Sequence, residues 1–211
     1  YWIEALACQN SLYGTFCRFP SIDMLDNAAA NKPDLLVLPE FCNHLSWYEN
    51  IEHCFDVSIA LDGAFTQAVL NKAQEHGFYI VLNATAQREG GTATGTSILL
   101  SPEGEVITTS DKQVLIGHEN DFLQRAKNVC PVIETPIGRL GMYACMDGVI
   151  NETPRDLALR GAQVLCNSLN SFALDEASLE ILPSAHTFPS HRNVKACLGW
   201  LLFGTRFVYW M

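Results

Sequence analysis

Three polar residues stand where apolar, strand-like runs end, and together their types could carry out covalent catalysis. Glu40 follows Leu35-Leu36-Val37-Leu38-Pro39, Lys112 follows the β-prone run 106–109, and Cys145 closes Gly141-Met142-Tyr143-Ala144. Layered α/β sheets place their ligand sites at the C-terminal ends of strands. A thiol with an ordinary pKa of about 8.5 is mostly protonated at neutral pH. Attack on a carbonyl therefore needs a base beside the sulfur and a cation near the developing oxyanion. Glu40, Lys112 and Cys145 are the residue types for base, oxyanion stabiliser and nucleophile. Each also has a plainer reading alone: a solvated loop carboxylate, a surface lysine in a turn, and one packed thiol among eight.

Other constellations are weaker. Cys42, His44, His53 and Cys54 put two thiols and two imidazoles in a short span, but neither pair has the two-to-four-residue gap that presents both zinc ligands from one turn. No metal is expected. Cys145 and Arg155 are too far apart, with acidic residues between, for a phosphate loop of the cysteine-phosphatase kind. His118 reads as a solvated loop histidine. Trp47 and Tyr48, just after Glu40, either line a substrate pocket or cap the core. No glycine cluster has phosphate-loop spacing.

The elements that must position these residues alternate short apolar β-prone runs with segments of helical period. Strands are expected over 3–9, 35–38, 78–84, 96–100, 106–109, 129–134, 138–145 and 163–168, and helices over 22–31, 63–75 and 152–160. Phe65, Ala68, Val69, Lys72 and Ala73 mark one face of the second helix, and Gly77 stops it. Ser101-Pro102-Glu103-Gly104 and Thr135-Pro136-Ile137-Gly138 read as hairpin turns, and Gly90-Gly91 as a loop tip. Parallel steps mixed with hairpins suit either one mixed sheet or two stacked sheets with helices outside.

Composition narrows the classes further. The 211 residues are 48% hydrophobic and 17% charged, against roughly 25% charged in an average domain, which excludes a disordered chain. Lys plus Arg number 13 against 23 Asp plus Glu, for a net charge of -10. With no basic cluster to neutralise phosphates, neither nucleic acid nor an anionic membrane is an expected partner. The run 196–203 is too short to span a bilayer, and no secretion signal is visible. Cysteines set in or beside apolar runs (Cys8, Cys42, Cys130, Cys145 and Cys166) read as buried thiols of a reducing, cytoplasmic environment.

The three motifs, taken in order, resemble the nitrilase, or carbon-nitrogen hydrolase, superfamily. Leu35-Leu36-Val37-Leu38-Pro39-Glu40-Phe41 is similar to its first motif, Asp111-Lys112 with the run leading to Glu119 to its second, and Gly141-Met142-Tyr143-Ala144-Cys145-Met146-Asp147 to its third. Glu152, Arg155, Leu157-Ala158 and Gly161-Ala162 keep the family's spacing from the cysteine. The resemblance implies an α/β fold of the four-layer α-β-β-α sandwich type, and it fades after about Leu179. The expected organisation is therefore a partial hydrolase domain over 1–180, C-terminally incomplete, with an atypical, poorly packed tail over 181–211. It also implies Glu40 as general base, Lys112 as the catalytic lysine, Cys145 as nucleophile, and Glu119 orienting Lys112 and the substrate. No cofactor is implied, and a complete fold implies a homo-oligomer. Met146 and Asp147 stand where nitrilases of the superfamily usually carry Trp and Glu. The implied substrate is thus a small amide or N-carbamoyl compound rather than a nitrile. A member lacking core strands would be inactive and keep only an assembly role.

Overall fold

The computed structural model describes residues 3–5, 22–44, 46–169 and 207–210. Nearly all of the expected 181–211 tail lies outside these residues; only Phe207–Trp210 of it is described.

Two sheets form the centre. The first runs β1 (Ile3–Ala5), β2 (Leu35–Val37), β3 (Tyr79–Arg88), β4 (Thr92–Leu100), β5 (Val106–Asp111), with neighbours paired in that order. β1, β2 and β3 are mutually parallel, and β4 and β5 add on antiparallel. The second sheet runs β6 (Val132–Thr135), β7 (Gly138–Ala144), β8 (Val164–Ser168), β9 (Phe207–Trp210). β7 and β8 are parallel, while β6 and β9 pair antiparallel at the edges.

Period-two alternation splits the first sheet between two cores. Leu36, Leu38, Ile80, Leu82, Ile98 and Leu100 face Leu25 and Ala28 of α1 (Ile22–Ala29) and Val69, Leu70 and Ala73 of α3 (Ala64–His76). Leu35, Val37, Tyr79, Val81 and Leu99 turn the other way, into a core shared with Leu140, Met142, Val164 and Cys166 of the second sheet. Leu157 of α6 (Glu152–Leu159) belongs to that second cluster and lies close to Gly141 and Leu165. Helix, sheet, sheet and helix thus stack as layers, as expected. Each fully buried aliphatic side chain contributes about 1.5–3 kcal/mol on leaving water, so these two interfaces are the main source of stability.

The helix and strand bounds differ from the sequence reading in instructive places. The buried face of α3 is Thr66, Val69, Leu70 and Ala73, so Phe65, Ala68 and Lys72 flank the stripe rather than centre it. Gly77 does end the helix, in the left-handed conformation at φ 71° that glycine adopts without a Cβ penalty. β3 runs past Ala84 to Arg88 and pairs with β4 from Thr92 onward. This extension carries Thr85, Gln87, Arg88, Thr92 and Thr94, so no apolar run announces it. Gly90 and Gly91, both at positive φ, form the tight connection whose twist suits a hairpin. A further helix, α2 (Ile51–Val57), fully buries only Cys54, with Val57 partly buried against the same cluster. Asn50 caps it by accepting the His53 N–H at 2.7 Å.

Candidate active site

Glu40 and Lys112 extend from strands of the first sheet, and Cys145 from a strand of the second. Pro39 lacks a backbone donor and ends β2, which leaves Glu40 just beyond it and only 3% exposed. The turn after Glu40 is tightly held. Phe41 sits at φ 53°, and its N–H donates to Asn83 Oδ1 at 2.9 Å. The Cys42 N–H donates to the Asn83 carbonyl at 2.9 Å, and Asn83 Nδ2 donates to Ser97 Oγ at 3.0 Å. One buried asparagine of β3 therefore fixes the loop that aims Glu40.

Lys112 follows β5 directly. Its N–H donates to the Gly95 carbonyl at 2.7 Å, and its carbonyl accepts from the Ala126 N–H at 2.9 Å. The side chain is fully buried. Its Nζ donates to Glu40 Oε1 at 2.8 Å and to both Glu119 carboxylate oxygens at 2.8 Å, and it lies 5.4 Å from the centre of the Phe41 ring. Glu119 opens α4 (Glu119–Phe122) and is oriented further by the Ile116 N–H at 3.1 Å. Gly95 packs closely at the base of this cluster: a Cβ there would stand 3.1 Å from the Phe41 ring and 3.5 Å from Lys112 Cβ.

Cys145 completes the group. Its thiol lies within the electrostatic reach of Glu40, Lys112 and Glu119. Its backbone adopts φ 49°, ψ -110°, a region that costs a non-glycine residue on the order of 1–3 kcal/mol. That turn separates β7 from α5 (Met146–Val149), and the Cys145 N–H donates to the Ser168 carbonyl at 2.9 Å. Glu40, Lys112, Glu119 and Cys145 are thus gathered from segments far apart in sequence.

The electrostatics follow from burial. Removal from water pushes the Glu40 carboxyl up to about 7, against the pull of Lys112. Burial, then the Glu40 charge, push the Cys145 thiol up to about 12. For Lys112, burial opposes the charge, but Glu40, Cys145 and Glu119 outweigh it and its pKa is raised. Above neutral pH the resting arrangement is a carboxylate and an ammonium in contact, with a neutral thiol within their reach. That arrangement can move one proton from sulfur to Glu40 as the sulfur attacks, with a fixed positive charge beside the new oxyanion.

The remaining candidates lie on the loops and helices around this group. Met146 is half-buried and opens α5 immediately after Cys145. Trp47 is 75% exposed on the loop beyond Glu40, with its ring 5.5 Å from that of His118. His118 is exposed and also hydrogen-bonds the Ser46 carbonyl, so this contact joins the loops leading from Glu40 and to Glu119. Tyr48 is buried and packs on Phe122. Cys42 donates its thiol to the Pro39 carbonyl at 2.9 Å, whereas the Cys54 thiol faces the Phe122 carbonyl. Among the described residues, Asp26, Glu75 and His76 come within metal-ligating range of one another. The Lys72 ammonium already stands 2.7 Å from both Asp26 and Glu75.

A sequence model of the carbon-nitrogen hydrolase family matches residues 21–190. The chain is 26% identical over 148 residues to a nitrilase of Pyrococcus abyssi, covering 70% of this chain and 56% of that protein. It is 23% identical over 155 residues to the nitrilase and fragile histidine triad fusion protein NitFhit of Caenorhabditis elegans, covering 68% of this chain and 35% of the other. The fold is similar to that of an amidase from a Nesterenkonia species, with a TM-score of 0.63 at 24% identity over 75% of this chain and 61% of that one. The crystal structure of the C. elegans NitFhit protein gives a TM-score of 0.65 at 21% identity, over 72% and 39% of the two chains. The chain therefore belongs to the carbon-nitrogen hydrolase family. It spans about half the length, or less, of the curated relatives it matches.

Asn83 and Asp147 also contribute to the site; residue type and spacing single out neither, and Asp147 is marked only as part of the third motif. The available signal for Asn83 is a lone amide inside the apolar strand Tyr79-Ile80-Val81-Leu82, where a buried polar side chain needs a partner.

Proposed function

We propose that the chain hydrolyses a non-peptide carbon-nitrogen bond of a small amide or N-carbamoyl compound through a thioester on Cys145. The observation that carries this reading is a buried ammonium held by two carboxylates, with one thiol within their electrostatic reach. Glu40 accepts the thiol proton as the sulfur attacks the carbonyl carbon. The Lys112 ammonium and the backbone N–H of Met146 receive the oxyanion, a stabilisation worth about 3–4 kcal/mol per well-placed donor. Collapse of the tetrahedral adduct breaks the C–N bond, and the proton held on Glu40 leaves with the ammonia or amine. Water then gives a proton to Glu40 and attacks the thioester, and the carboxylic acid departs as the thiol regains its proton. Glu119 holds Lys112 in place, and Met146 and Trp47 border the substrate.

The test is ammonia or amine release from small amides, N-carbamoyl amino acids and nitriles, by the full chain and by Cys145→Ala. Turnover of amides or carbamoyl compounds that is lost in Cys145→Ala is the expected result. Turnover of nitriles alone would replace the substrate class. No turnover of any compound, or turnover that survives loss of the thiol, would overturn the reading.

A further inference from the structure

The proposed mechanism does not use Asp147, although this carboxylate is 1% exposed and lies two residues beyond Cys145. It is not left without partners. Asp147 Oδ1 accepts from the Val114 N–H at 2.8 Å and the Gln113 N–H at 3.1 Å. Oδ2 accepts from Gln113 at 3.2 Å and from the Ala144 N–H at 3.5 Å. Gln113 and Val114 are the two residues after Lys112, and Ala144 is the residue before Cys145.

These contacts cross between the sheets. Glu40, Lys112 and Glu119 are locked to one another by ion pairs on the side of the first sheet. Cys145 comes from β7 of the second, so its distance from Lys112 depends on what joins the two sheets at this end. Ser110 adds one bond, from its Oγ to the Met142 carbonyl at 3.4 Å. Asp147 holds the backbone on both sides of the gap with a single rigid side chain.

We infer that Asp147 is a positioning residue, which sets the placement of Cys145 against the Lys112 ammonium and so governs thioester formation rather than substrate binding. This inference rests on the roles proposed above for Cys145 and Lys112. Val114 is held by Oδ1, Ala144 by Oδ2, and Gln113 by both. An asparagine placed with its oxygen at the Oδ1 position keeps Val114 and one of the two Gln113 contacts but turns an NH2 toward the Ala144 and Gln113 N–H groups. Asp147→Asn therefore releases the nucleophile side while weakening the lysine side only in part. A displacement near 1 Å in such a site costs about 100-fold in rate.

The experiment uses the full chain with two readouts. The first needs no substrate: the rate of Cys145 alkylation by iodoacetamide across pH, located by peptide mass spectrometry. The second is kcat and KM on the best compound of the panel. Asp147→Asn is expected to melt cooperatively, to show a shifted pH profile of alkylation, and to lose about 10- to 100-fold in kcat with KM within about twofold. Asp147→Glu, which keeps the charge but moves the oxygens, carries the same test if the asparagine variant does not melt cooperatively. Wild-type kcat and an unchanged alkylation profile in the variant would overturn the inference, as would a rise in KM alone. Loss of cooperative melting in both variants would also overturn it, making Asp147 a requirement for folding. If the wild-type Cys145 does not alkylate, or activity survives Cys145→Ala, it is the catalytic assignment that fails.

Discussion

Lys112 Nζ lies 2.8 Å from Glu40 Oε1, an ion pair closed across 72 residues of sequence with both side chains out of water. The same ammonium also serves both oxygens of Glu119. One cation therefore balances two buried carboxylates, and its removal leaves both uncompensated.

Lys112→Met is accordingly expected to lower stability by about 3–5 kcal/mol, the range for breaking a buried ion pair from one side. Chemical denaturation of the variant and the wild type measures it. A loss below about 1 kcal/mol, the range of an exposed pair, would contradict the burial of this cluster.

The raised pKa of Glu40, about 7, fixes a pH dependence. The base must be ionised to accept the thiol proton, so kcat/KM should rise with pH through a limb near 7. The stability sign is opposite. Because the folded pKa lies above the ordinary value of 4.5, the native state holds the extra proton in that window, and the contribution of Glu40 to stability falls as pH rises through it. Glu40→Gln should abolish turnover and remove this slope. A pH-rate profile that stays flat from about pH 5 to about pH 9 would count against Glu40 as the base.

Strain at Cys145 gives a third expectation. At φ 49°, ψ -110° an alanine keeps the Cβ conflict and a glycine removes it. Cys145→Gly should exceed Cys145→Ala in unfolding free energy by about 1–3 kcal/mol, with both inactive. Equal melting temperatures would show the turn to be relaxed.

Gly148 follows the same elbow. A Cβ there would come within 2.6 Å of Asn167 Nδ2 and 2.7 Å of the Tyr143 ring, closer than real contacts allow. Gly148→Ala is expected to cost about 1–3 kcal/mol by overpacking and to lower kcat with it, since the displaced turn carries Cys145. A variant with wild-type melting and turnover would show that these neighbours give way freely.

How far the sequence reaches can be judged from particular residues. Glu40, Lys112 and Cys145 are legible because each closes a β-prone run, and strand ends can be read from local pattern. Glu119 has no such mark, and only the family resemblance singles it out. Asn83 and Asp147 are harder still. The Phe41 and Gln113 N–H groups that they accept from lie 42 and 34 residues away, and a backbone donor has no residue type to detect. The layered architecture follows from alternating apolar positions in β2 and β3, whereas the polar half of the β3–β4 hairpin is defined by pairing alone. The choice between one sheet and two also depends on contacts distant in sequence, such as Leu35 and Val37 with Met142 and Val164.

The depth of the Lys112 cluster has a consequence for ionic strength. Dissolved ions screen charges over about 8 Å at physiological salt, but they act through water, and the Lys112, Glu40 and Glu119 side chains are at most 5% exposed. Added salt therefore reaches the half-exposed Lys72–Asp26 pair on the helical layer and leaves the Lys112–Glu40 attraction nearly at full strength. The chain separates charges that answer to the surrounding electrolyte from charges insulated against it, and the candidate site is built from the second kind.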